Sequence, residues 1–219
     1  WFFTKRLLEQ DITIGTGTAT TGYLPLYGLY NYSYGGMIYA SDEINFSGLI
    51  RKIRFYVGNT PTNYVTDNQI IYMGEVPYTE FSSTSLIDTV GLTRVKEPFS
   101  YTWDGGGWKE FELDVPFDYS GNNALLIVWV NRDGSWATGY PSFRYTTKTN
   151  TGLYKYQDPG FPSIPGTGTR TSDRPNIQIS FEMPSNDNDV QFISITEPSG
   201  VLYSTSQYNI KGKFKNLGN

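Results

Sequence analysis

Glu110 and Glu112 are the residues of this 219-residue chain best spaced for acid–base work. Two carboxylates on one strand face approach the separation of roughly 5 to 9.5 Å at which paired acids cleave a glycosidic bond. The competing reading is the solvated polar face of a half-buried strand. The other catalytic templates fall on residue type alone. The chain has no histidine and no cysteine, so Ser-His-Asp and Cys-His nucleophiles are impossible, as are zinc sites built on imidazole or thiolate. Neither a phosphate-cradling loop ending in Gly-Lys-Ser/Thr nor a dinucleotide fingerprint is present. A hard cation needs only oxygen ligands, which makes a structural calcium the ion these residues suit. Its candidate ligands are Asp187 and Asp189 in Pro184-Ser185-Asn186-Asp187-Asn188-Asp189, and Asp133 in Asn131-Arg132-Asp133-Gly134. The same patterns are also ordinary turn chemistry.

Holding a ligand is the second chemistry the residue types allow. Tyr23, Tyr27, Tyr30, Tyr32 and Tyr34 crowd a Gly-rich loop region, and Trp136, Tyr140, Phe143 and Tyr145 form a second loop cluster. Exposed rings stack on sugars or on a protein partner; rings packed across the ends of a sandwich are the alternative. Trp136, Tyr140, Tyr30, Tyr32 and Tyr34 are the expected ligand-binding residues. Trp136 leads because Asp133-Gly134-Ser135 before it and Ala137-Thr138-Gly139 after it make a loop tip. Arg170 and Arg174 flank Ser172-Asp173, where an ion pair with Asp173 is expected to pin a loop; the alternative is a fork offered to a carboxylate.

The elements that must position these groups are strands. Eighteen Tyr, 13 Phe, 5 Trp, 23 Gly and 12 Pro against only 17% charged residues describe pleated surfaces punctuated by turns. Strands are expected over residues 12–14, 49–57, 69–76, 93–103, 109–115, 124–130, 142–146, 153–156 and 176–181. In 109–115, Phe111, Leu113 and Val115 alternate with Glu110, Glu112 and Asp114, one face core and the other water. Residues 124–130 are apolar on both faces, which predicts a central strand covered on both sides. Asp104-Gly105-Gly106-Gly107 reads as a hairpin turn. Helical period is scarce, residues 3–10 being the best candidate, with a strand entering the sandwich the equal alternative.

A net charge of -4 offers no attraction for a phosphate backbone, so nucleic acid is not an expected partner. No apolar run reaches the roughly 20 residues that span a bilayer, and no signal-peptide pattern opens the chain, which reads as processed or trimmed. Absence of cysteine in a secreted protein tilts toward a prokaryotic export route. The expected organisation is an N-terminal extension (1–10), a β-sandwich (11–183), a linker (184–189) and the first strands of a second β-domain (190–219). Two strands cannot bury a core. They are therefore completed by further chain or by another chain.

Three stretches carry a resemblance: residues 13–34 with their Gly-Thr-Gly-Thr and tyrosine runs, 48–56, and Arg174-Pro175-Asn176-Ile177-Gln178-Ile179-Ser180-Phe181. Together they resemble a secreted β-sandwich module of large surface and adhesin proteins of Bacteroidota and related bacteria. The tail from Asp189 to Gly218 is similar to the opening of adhesion-related immunoglobulin-like domains. The fold expected is all-β, a jelly-roll-like antiparallel β-sandwich followed by a partial immunoglobulin-like β-domain. The resemblance implies a secreted or bacterial cell-surface location and a non-catalytic role in adhesion or assembly, with a fibre or sheath built by strand addition from residues 190–219. A carbohydrate-binding module is the alternative, and a glycosidase the distant one. Asp88-Thr89-Val90 resembles the O-glycan acceptor of the same bacteria, whereas Asn31-Tyr32-Ser33 and Asn45-Phe46-Ser47 fit the eukaryotic N-glycan pattern.

Overall fold

The computed structural model describes residues 8–183, together with the backbone of two strands over 190–197 and 211–216. The chain divides into two compact units, Glu9–Glu182 and a second that contains the strands over 190–197 and 211–216.

The larger unit is all-β and antiparallel. Its strands are β1 (Glu9–Ile14), β2 (Thr20–Thr21), β3 (Tyr32–Tyr39), β4 (Gly48–Val57), β5 (Tyr64–Val76), β6 (Thr93–Trp103), β7 (Gly107–Tyr119), β8 (Ala124–Asn131), β9 (Phe143–Gln157), β10 (Thr169–Pro175) and β11 (Ile177–Glu182), with one helical turn, α1 (Ser41–Ile44). Hydrogen bonds join them in the order β1-β11-β4-β9-β3-β8-β5-β6, with β2 and β10 also on β9 and β7 on β4, and the sheet does not close into a barrel. Strand β9 is the fold line. Its first residue pairs with Val57 of β4, while its later run pairs with β3.

The two halves of this sheet face each other as a β-sandwich. Ile53, Phe55, Phe111, Ile177, Ile179 and Phe181 of one layer share a core with Met37, Ile71, Met73, Trp103, Ile127 and Trp129 of the other. Rings meet across the layers: Trp129 lies edge-on to Phe111 at 4.9 Å and to Phe55 at 6.0 Å. A second core on the back of β8 joins Leu126, Val128 and Val130 to Phe81 and Leu86. The doubly apolar 124–130 run therefore forms the central strand its composition predicts, one face on the opposite layer and one under a loop.

Local departures from the sequence reading have identifiable causes. Tyr32 and Tyr34, expected in a Gly-rich loop region, lie in the central strand β3. The glycines are there for space: a Cβ on Gly35 would stand 2.1 Å from the carbonyl oxygen of Pro25, whose segment crosses the strand. Residues 142–146 and 153–156 belong to one strand, because Asn150 absorbs the irregularity at φ 49°. Asp104 to Gly107 is a turn, with Gly105 at φ 65° and Gly107 at φ 95°, but not a hairpin. Strand β6 pairs with β5 and β7 with β4, so the turn passes the chain from one layer to the other. Of residues 3–10, read as a helical turn or a strand, 9 and 10 lie in strand β1 and 3–7 fall outside the described residues.

Arg174 corrects another expectation. Its partner is Glu43 of α1, held bidentately with both N···O distances 2.7 Å, and not Asp173. Only 2% of Arg174 is exposed; its guanidinium also donates to the Ile38 carbonyl and lies 4.7 Å from the Tyr39 ring centre. Arg170 donates to the carbonyl of Phe81. Both arginines serve the fold.

In the smaller unit, β12 (Val190–Glu197) and β13 (Lys211–Asn216) form a two-stranded antiparallel ladder, from Val190 opposite Asn216 to Glu197 opposite Lys211. Among the described residues no helix is long and apolar enough to cross a membrane.

Candidate functional site: a tyrosine end

One end of the sandwich is closed by tyrosines. Alternation along β9 puts Tyr154 and Tyr156 on the same face, with parallel rings 6.0 Å apart. Tyr23 lies flat across them, 4.7 Å from Tyr154 at 9° and 6.1 Å from Tyr156 at 10°. Tyr30 leans on Tyr156 at 4.3 Å. Tyr27 stands edge-on to Tyr23, Tyr156 and Tyr140, at 5.2, 4.9 and 5.4 Å. Offset stacking and edge contacts are the arrangements the ring quadrupole favours, each contributing about 0.5–1.5 kcal/mol beyond burial.

The backbone brings these rings together through two crossings. Leu24 and Leu26 enter the core between the layers, leaving Tyr23 and Tyr27 at its rim. Gly28 then passes so close to Tyr64 and Tyr140 that a Cβ there would stand 2.8 Å from each side chain. Tyr64 donates its hydroxyl to the Gly28 carbonyl.

The loop between β8 and β9 is tied to the same end. Asn59 donates to the Tyr140 carbonyl and accepts from the Ser142 N–H, both at 2.8 Å. The Gly134 N–H donates to Asn31 at 2.9 Å. Beneath it a buried chain of hydrogen bonds runs from the Trp129 indole to Gln69, on to Asn131, and from Asn131 to the Tyr30 carbonyl. A fully satisfied network of this kind rigidifies what it supports. Trp136, at the tip, is 55% exposed, and Tyr23 is 38% exposed.

Burial raises the Tyr27 phenol well above its ordinary range, and hydrogen bonding to Tyr140 adds to it. Burial also raises Tyr154 and Tyr156. These phenols are uncharged at neutral pH. The end can stack on ring faces and exchange hydrogen bonds, and none of these groups moves a proton readily near pH 7.

The sequence-derived residues divide sharply. Tyr30 and Tyr140 join the cluster, together with Tyr23 and Tyr27. Tyr32 is half-buried on β3, outside the ring contacts, with its hydroxyl near Gly134. Tyr34 is not a ligand residue: it is fully buried on the back of β3 and donates to the Ile87 carbonyl at 3.1 Å. Phe143 is likewise core. Tyr154 and Tyr156 were missed, although two tyrosines two positions apart in a strand must share a face.

Asp133 accepts from Ser135 at 2.8 Å, and burial raises its carboxyl. Among the described residues no group of three or more acids is placed to hold a metal, and Asp187 and Asp189 lie outside them. Glu110 is bound to Arg54 at 2.6 Å, and Glu112 stands across the ladder from Lys52. The carboxylates sit on an ion-paired sheet face. Asn31 donates to the Asp158 carbonyl and Asn45 ends α1 in the left-handed region at φ 46°, whereas Asp88 accepts from the N–H of the exposed Val90 in a surface turn.

No family model matches the chain, and no curated protein matches it.

Proposed function

We propose that this chain is a non-catalytic adhesion module of a secreted bacterial surface protein, and that it holds a glycan or protein ligand on its tyrosine end. The observation that carries the proposal is the flat stack of the exposed Tyr23 on Tyr154 and Tyr156, with the exposed Trp136 on a loop anchored to the same end. Rigid aromatics on a preformed end supply contact area at small entropic cost. The chain's lack of histidine and cysteine, and the engagement of Glu110 by Arg54, support a role in holding over one in turnover. The surface-protein resemblance supports the location.

A glycan array and affinity gels test the ligand. The native chain is expected to be retained by at least one ligand, and Tyr23→Ala and Trp136→Ala to weaken retention by about tenfold or more, the loss of one good stacking contact. Retention unchanged in both variants would remove the site.

A second reading rests on the β12–β13 ladder. Two strands leave open edges, and an open edge is a template for strand addition. Under this reading residues 190–219 join copies into a fibre. Light scattering is expected to show the assembly in the full chain and its loss once residues 190–219 are removed.

A further inference from the structure

The face of β9 opposite the tyrosines borders a cleft of about 300 Å³ beneath the loop that precedes β10. We propose that this cleft is a second binding site, for a single carboxylated sugar residue of the hexuronate class. The inference goes beyond the tyrosine end and does not depend on it.

Alternation sends Lys155 and Gln157 to the side of β9 away from Tyr154 and Tyr156, and both line the cleft. Its walls are held in place from several directions. The Leu86 N–H donates to the Gly166 carbonyl at 2.9 Å, and the Gly168 N–H to Thr84 at 2.8 Å. Ser85 and Thr167 form a bridge. Gly166 packs so tightly that a Cβ would stand 2.2 Å from the Ser163 carbonyl oxygen. Gln157 donates to the carbonyls of Pro159 and Gly160 at the loop's start. The cleft is therefore preformed, as small-molecule sites usually are.

The lining selects the ligand by charge and shape. Lys155 is its one cation, no acid lines it, and among the described residues no carboxylate lies within ion-pair reach of Lys155. A point charge of one unit matches one carboxylate. A phosphate dianion would leave one of its two charges without a cation in this cleft. Ser163 and Thr167 add hydroxyls that both donate and accept, which suits a polyol, while the buried Leu86 and Pro162 close the cleft from below. The space exceeds what a bare oxyanion fills.

Titration of the full chain with methyl glucuronide, methyl glucoside and inorganic phosphate, read by amide chemical shifts, tests the assignment. Methyl glucuronide is expected to saturate shifts at Lys155, Gly166 and Thr167, and the other two probes are not. Lys155→Met is expected to weaken the glucuronide by about tenfold or more, the loss of one charged hydrogen bond. Lys155→Arg retains most of the binding, and Tyr23→Ala leaves it unchanged, which separates this site from the tyrosine end. The proposal is overturned if the glucuronide shifts nothing at these residues, if Lys155→Met binds it as the native chain does, or if glucoside or phosphate binds equally well.

Discussion

At the scale of residues, Arg174 and Glu43 show what a buried charge demands. A guanidinium with 2% exposure is tolerable only because two carboxylate oxygens, a backbone carbonyl and a ring face surround it. Glu43→Gln should cost about 3 kcal/mol in chemical denaturation, the lower end of the range for stranding a buried charge, since the carboxylate itself is partly exposed. The pair also sets an acid limb. The hydrogen bond from Arg174 is the largest cause holding the Glu43 carboxyl below its ordinary 4.5. A carboxyl lowered by folding stabilises the folded state above its unfolded pKa. That contribution disappears as pH falls through the lower folded value. The native denaturation midpoint should therefore fall more steeply below pH 4.5 than that of Glu43→Gln; parallel acid limbs for the two proteins would refute the linkage. None of this pairing is visible in the sequence, where Asp173 stands beside Arg174 and Glu43 lies far off.

Among the elements, β3 shows how position overrides composition. The Gly35-Gly36 pair is weak strand material by propensity. The run nevertheless lies between β8 and β9 in the middle of a layer, because only glycine lets the Pro25 backbone cross there. Gly35→Ala should cost about 1–3 kcal/mol by overpacking, read as a lowered thermal midpoint. Because the crossing segment carries Tyr23 and Tyr27, the same substitution should weaken ligand retention at the tyrosine end. Strands with a strict pattern were legible in advance: Phe111 and Leu113 face inward in β7, although Val115, expected on the same face, is 45% exposed, and both faces of 124–130 are buried. Strands without such a pattern were not. β10, with Arg170, Ser172 and Asp173 along it, offers no apolar alternation to read.

For the whole molecule, the division into Glu9–Glu182 and a remainder gives the truncation a second readout. Removing residues 190–219 should leave the cooperative unfolding transition of the larger unit in place, since among the described residues its two cores run from Ile12 to Phe181. A lost or broadened transition in the truncated chain would show that the larger unit depends on what was removed.

The sequence by itself determined which chemistries are closed, because residue types do not change on folding: without imidazole or thiol, most catalytic and zinc templates have no atoms to work with. It also determined the all-β class and the best strands, because alternation with a period of two is a local property. Tertiary structure alone decided which tyrosines meet. Tyr23 reaches Tyr154 and Tyr156 because β9 pairs with β3 and the segment before β3 folds back between the layers, and pairing between distant strands leaves no mark in the order of residues along either one.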